Sequence, residues 1–138
     1  MTQNQNQVEG IPTIYPALLY RDPRAALVWL EKAFGFKKIT EVAAPDGGII
    51  HAEMSFGNGV IMLGTAQNER GWKSPLDLSG VNQTIYVYVA DPDAHYERAK
   101  AARAEITYEL KDTDYGSREY SALDLEGHFW SFGTYHPM

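Results

Sequence analysis

The sequence predicts one α+β domain built from two copies of a βαβββ unit. The first observation behind this is scale: 138 residues, 44% hydrophobic and 22% charged, suit one globular domain and leave no room for a second. A second is an internal repeat, in which Asp22-Pro23-Arg24-Ala25 is echoed 69 positions later, half the chain length, by Asp91-Pro92-Asp93-Ala94. Finally, each Asp-Pro pair follows one strand-like segment and precedes a helical pattern and three more strand-like segments.

Each Asp-Pro pair starts a helix for a mechanical reason. Aspartate caps the first free N–H groups, and proline suits the first helical position because the N–H it lacks has no partner there. In the first helix Leu27, Leu30 and Phe34 recur at spacings of three and four, and Gly35 stops it. The second is expected to run to about Arg103, with Tyr96, Ala99 and Ala102 on its apolar face. The strands leading into the helices are expected at 13–20 and 82–89, the latter alternating Ile85, Val87 and Val89 against Thr84, Tyr86 and Tyr88. The strands after the first helix are expected at 36–42, 49–56 and 60–64, and those after the second at 106–110, 118–123 and 128–135. Glycine-bearing turns at 45–48, 57–59, 114–116 and 124–127 separate them. The resulting division is a disordered polar tail at 1–11, a first module at 12–65, a linker or lid loop at 66–80 and a second module at 81–138.

Composition excludes several functions. The chain has no cysteine, which removes disulfides, thiol nucleophiles and thiolate metal sites and fits a cytoplasmic location. A net charge of −6 without a basic run argues against nucleic acid, and no apolar run is long enough for a membrane span. The polar start has neither the basic nor the apolar region of a signal peptide.

Five segments in repeat order carry a family resemblance: Tyr20-Arg21-Asp22, Ala33-Phe34-Gly35-Phe36, the run 57–63, the run 89–93 and the run 124–132. With them, nearly the whole chain from Thr13 resembles the vicinal oxygen chelate superfamily of glyoxalases, bleomycin-resistance proteins and extradiol dioxygenases. The resemblance implies that the two modules pair into a curled mixed sheet around a cup. It also implies four metal-ligand positions, two per module, which fall here on Tyr15, Met62, Thr84 and Ser131. None of the four is an imidazole or carboxylate, so neither a metal nor another cofactor is expected. A register slip of one residue substitutes Ile14, Ile61, Ile85 and Trp130, no better as ligands.

Other residues carry two readings each. His51 and Glu53 share a strand face opposite Ala52, Met54 and Phe56, either as an acid/base pair or metal half-site, or as a solvated polar face. Tyr86 and Tyr88 share the face of Thr84, either to sandwich an aromatic ligand or as wall packing. Trp72, a large ring in a polar loop, needs cover from a lid closing on the cup or from a dimer contact. Arg118 and Tyr115 offer an anion site or a solvated rim. Trp29, Trp130 and Phe132 read as packing residues, His95 as exposed, and His128 and His136 as structural or solvated.

The resemblance to antibiotic-sequestering members implies a metal-free cytoplasmic homodimer binding a small organic molecule, an antibiotic among the candidates. Its rivals are a lyase, isomerase or dioxygenase using His51 and Glu53, and a protein-interaction module with a vestigial cup.

Overall fold

The computed structural model describes residues 10–137, so nearly all of the tail expected at 1–11 lies outside the described residues. The chain order is β1 (Ala17–Tyr20), α1 (Pro23–Phe34), β2 (Lys37–Ala43), β3 (Ile49–Phe56), β4 (Gly59–Thr65), β5 (Ile85–Tyr88), α2 (Pro92–Ala101), β6 (Glu105–Asp112), β7 (Arg118–Leu123) and β8 (Phe129–Gly133). The expected α+β architecture of two βαβββ modules is present. It forms two four-stranded mixed sheets, ordered β1-β4-β3-β2 and β5-β8-β7-β6, curled but not closed. The pairing repeats with the sequence: Ala17 opposes Met62 in the first sheet, and 69 positions on, Tyr86 opposes Ser131 in the second.

Both helices start as their sequence dictates. Asp22 accepts from Ala25 N at 3.0 Å and Asp91 from Ala94 N at 3.1 Å. Gly35, at φ 82°, ends α1 in the left-handed region, and its N–H reaches the Glu31 carbonyl at 3.1 Å. The second helix stops two residues short of expectation. Arg103 takes the left-handed turn at φ 66° without glycine, which hides the stop from a reading based on Gly. Strands β1 and β5 begin later than expected, at 17 and 85 instead of 13 and 82. In the lead-in to β1, prolines at 12 and 16 lack the N–H a paired strand needs.

One core joins the halves. Leu18, Tyr20, Ile61, Leu63, Ala52 and Met54 face the helices in the first sheet, and Trp130, Phe132, Tyr120 and Ala122 do so in the second. Phe34, at the end of α1, lies at the meeting point, 5.0 Å from Trp29, 5.6 Å from Trp130 and 4.7 Å from Phe132 between ring centroids. Truncating such a ring costs about 3–5 kcal/mol, so this contact is a large part of what holds the modules together. The expected packing roles of Trp130 and Phe132 hold, while Trp29 bridges helix to helix, its Nε1 donating to the Ala102 carbonyl at 3.2 Å.

His95 corrects the expectation of an exposed residue: it is 9% exposed. Its Nε2 donates to the Phe34 carbonyl at 2.9 Å, leaving Nδ1 to accept from the Tyr120 hydroxyl at 2.5 Å. Burial lowers its pKa, opposed in part by the Phe34 carbonyl. Its sequence neighbours are polar, but the surface covering it comes from distant segments of both modules, Phe34 and Phe56 of the first and Tyr120 and Phe132 of the second.

At the opposite end the β7–β8 turn locks onto α1. Asp124 accepts from Tyr20 Oη at 2.7 Å, Trp130 Nε1 at 3.1 Å and the N–H groups of Glu126 and His128. Glu126 accepts from Arg21 N at 2.7 Å, Asp22 N at 2.9 Å and Ser74 Oγ at 2.6 Å. Burial, and then the Asp124 charge, push the Tyr20 hydroxyl well above the usual tyrosine range, so it stays a donor. The segment between the modules is therefore anchored by fully buried Ser74 and by an Arg21–Asp77 ion pair.

Candidate functional site

Alternation in the strands sets a second face on each sheet, opposite the helices. In the first sheet Ala17, Met62, Glu53 and Thr40 lie in one row, and Leu19, Gly64, His51 and Val42 in the next. In the second, Tyr86, Ser131, Ser121 and Tyr108 form a row, and Tyr88, Gly133 and Glu119 another. The structure thus groups Met62 with His51 and Glu53, and Ser131 with Tyr86 and Tyr88. Tyr15 and Thr84 stand two residues before Ala17 and Tyr86, just outside their strands.

His51 Nε2 and Glu53 Oε2 are 2.8 Å apart and both side chains are about one-third exposed, at 37% and 34%. Each uses part of its bonding capacity on the other. Ser131 Oγ bonds Ser121 Oγ at 2.7 Å, a partner the sequence reading missed although β7 alternates Glu119, Ser121 and Leu123 against Tyr120 and Ala122. Tyr86 Oη donates to the Tyr135 carbonyl at 2.5 Å, and its pKa is raised first by burial and then by the Glu119 charge. Tyr115 Oη donates to Glu119 at 2.6 Å.

Two expected candidates are engaged elsewhere. Arg118 forks onto Asp93 at 2.8 and 3.1 Å and reaches Asp112 at 3.1 Å, so an incoming anion would have to displace a carboxylate. Asp93 in particular holds its guanidinium above its ordinary pKa. Trp72 pairs with Gln67 in a short bridge and carries the Arg70 guanidinium 4.0 Å above its ring, which gives it partial cover within its own loop.

The donor set does not fit a divalent metal. Tyr15, Met62, Thr84 and Ser131 offer neutral hydroxyl and thioether groups, and no cluster of three or more His, Cys, Asp or Glu able to hold an ion occurs among the described residues. Between the lead-in to β1 and strand β5 there is a crevice of about 460 Å³, with Ile14, Pro16, Val60 and Ile85 in its walls and Tyr88 and His136 also lining it. No described helix is long and apolar enough to cross a membrane.

With this geometry fixed, comparison with known proteins is decisive on one point. The family model for the Glyoxalase/Bleomycin resistance protein/Dioxygenase superfamily matches residues 13–132. The chain belongs to this superfamily. Among superfamily structures, TioX from Micromonospora sp. ML1 is 33% identical, with a TM-score of 0.68 over 87% of this chain and 97% of that one. A mutant form of the fosfomycin resistance protein FosX from Listeria monocytogenes, in complex with Mn(II) and 1S,2S-dihydroxypropylphosphonic acid, shares the fold at a TM-score of 0.68 and 15% identity over 88% of each chain. The uncharacterized protein Rv0887c of Mycobacterium tuberculosis is 34% identical over 125 residues, which are 88% of this chain and 74% of that protein.

Proposed function

We propose that this superfamily member is a metal-free homodimer that binds a small organic molecule, antibiotics among the candidates, against the sheet faces bearing Met62, His51 and Glu53 and Tyr86, Tyr88 and Ser131. The observation that carries this reading is the chemistry of the four repeat-related positions. Tyr15, Met62, Thr84 and Ser131 give hydroxyl and thioether groups where metal-dependent chemistry needs imidazoles and carboxylates. Tyrosine rings, a thioether and paired serines suit a mixed apolar and hydrogen-bonding ligand instead. Ile14, 84% exposed and lining the crevice beside β5, supports a second chain as the cover for that apolar surface.

The test is native mass spectrometry of untagged protein with elemental analysis. The expected spectrum is a dimer at micromolar concentration carrying an organic mass, with no stoichiometric metal. Zinc, nickel, manganese and iron should leave the melting temperature unchanged. A chelator-reversible metal at full occupancy would overturn the reading, and a monomer at tens of micromolar would remove its dimeric part.

The His51–Glu53 hydrogen bond favours a second reading, a lyase or isomerase in which the carboxylate orients the imidazole as a general base. It predicts exchange of a ligand C–H proton with deuterated solvent that stops in His51→Gln. Exchange that is absent, or unaltered in the variant, rejects it.

A further inference from the structure

We propose that residues 134–137 form a displaceable strap over the tyrosine wall, and that the molecule displacing it presents a neutral carbonyl beside a flat nitrogen heteroaromatic ring. This rests on the reading of the Tyr86–Tyr88 face as a ligand wall.

Past Gly133 the chain folds back across the outer end of β5. Its root is tied to the start of β7: Thr134 Oγ1 accepts from Arg118 N at 3.1 Å, and Tyr135 N donates to Ser117 Oγ at 2.9 Å. The tip is held differently. The Tyr135 carbonyl takes the Tyr86 hydroxyl at 2.5 Å, and the Tyr135 ring stands edge-on to Tyr86 and Tyr115, at 6.4 and 6.0 Å. The His136 imidazole tilts over Tyr88 at 4.5 Å, and both Tyr135 and His136 are exposed. A segment whose exposed tip is held by ring contacts and one hydrogen bond opens at low cost compared with the packed sheet behind it.

What the tip supplies defines what must replace it. Opening the strap takes the Tyr135 carbonyl from the Tyr86 hydroxyl, which keeps Ser117 and Glu119 as neighbours and opens to water, so a competitor carrying a carbonyl can restore the contact that the tail supplied. A carboxylate fills that role poorly, because Glu119 already places a negative charge beside the hydroxyl. A neutral amide does not meet this repulsion. The imidazole over Tyr88 marks the second requirement, a flat ring able to lie on a tyrosine face. His136 also lines the crevice of about 460 Å³ beneath it, within the size of small-molecule sites, so its departure widens an existing cavity.

The experiment compares the full chain with a chain ending at Thr134, after melting curves establish that both fold. A full-length His136→Gly variant serves if the shortened chain does not. Two probes are titrated and followed by NMR: the tail's own peptide, Thr-Tyr-His-Pro-Met, and pyridine-3-carboxamide. We expect the shortened chain to bind both saturably and competitively, with the full chain at least tenfold weaker and His136→Gly between them. Equal affinity of full and shortened chains, or no binding of the peptide to a folded shortened chain, overturns the strap. Binding of the peptide but not of pyridine-3-carboxamide overturns the ligand class while the strap stands. The peptide arm needs no natural ligand, so a protein that binds its own tail yet copurifies with nothing retains the strap and loses the proposed function.

Discussion

Glu126→Gln tests whether the β7–β8 turn clamps the two modules. The carboxylate is 5% exposed and accepts three hydrogen bonds, with Oε1 taking Arg21 N and Ser74 Oγ and Oε2 taking Asp22 N. An amide of the same shape has one oxygen. If that oxygen replaces Oε1, the new NH2 faces the Asp22 N–H. In the reverse orientation it faces the Arg21 N–H, and only the serine hydroxyl can rotate to accept. Either way one backbone donor meets another donor in a dry site, which costs about 1–3 kcal/mol, and the loss of a negative charge at the start of α1 adds about 0.5 kcal/mol. The expected loss is therefore about 2 kcal/mol for Glu126→Gln. Glu126→Ala, which abandons all three donors, should lose about 3–5 kcal/mol. Urea unfolding followed by tryptophan fluorescence reads both, with an unchanged m-value as the check on two-state behaviour. A Glu126→Gln protein within 0.5 kcal/mol of the parent would mean that water already satisfies these donors and that the turn is no clamp.

Three further outcomes follow from the packing. Because burial lowers the pKa of His95 below its ordinary 6.5, its neutral form contributes stability that is complete above about pH 6.5 and is lost as pH falls through that value toward the lowered one. The stability gap between parent and His95→Gln should therefore narrow from pH 7.5 to 5, and a gap constant across that range would contradict the assignment. Gly133→Ala should cost about 1–3 kcal/mol in the same assay, since the added carbon would lie 2.4 Å from Glu119 Cγ and 3.1 Å from the Arg118 carbonyl. A neutral result there would show that the Glu119 chain moves aside freely. Tyr20→Phe, which deprives buried Asp124 of one of its four donors, should cost about 1–2 kcal/mol and leave the secondary structure by circular dichroism unchanged. Any gain in stability would place the hydroxyl among groups that packing tolerates only at a loss.

Much of the architecture was legible because local rules and the repeat agree. The Asp-Pro starts, Gly35 and the glycine turns each act within a few residues, so α1, β3 and β7 fall where their sequence places them. Legibility fails where a distant surface decides. His95 looks solvent-facing among Asp93, Glu97 and Arg98, yet the Phe34 carbonyl and Tyr120 enclose it. The linker has no period to read because its order comes from Ser74 meeting Glu126, a partner 52 residues away. For the site, strand alternation paired His51 with Glu53 and Tyr86 with Tyr88, while Met62 and Ser131 entered through the family resemblance and the 69-residue repeat. It could not reveal that carboxylates already occupy Arg118, or that Tyr135 and His136 fold back over the tyrosines.

The two ends of the joint between modules are made of different materials. At one end buried carboxylates of Asp124 and Glu126 gather backbone and side-chain donors, but the positions 69 residues earlier hold Ser55 and Gly57, with no carboxylate. There the contact is made by rings, with Phe56 at 5.3 Å from Phe36 and 6.0 Å from His95. Apolar contacts weaken on cooling more than satisfied hydrogen bonds do. Toward freezing, amide exchange should therefore quicken first around Phe56 and the start of α2, with the halves parting at that edge and swinging on the Glu126 pin.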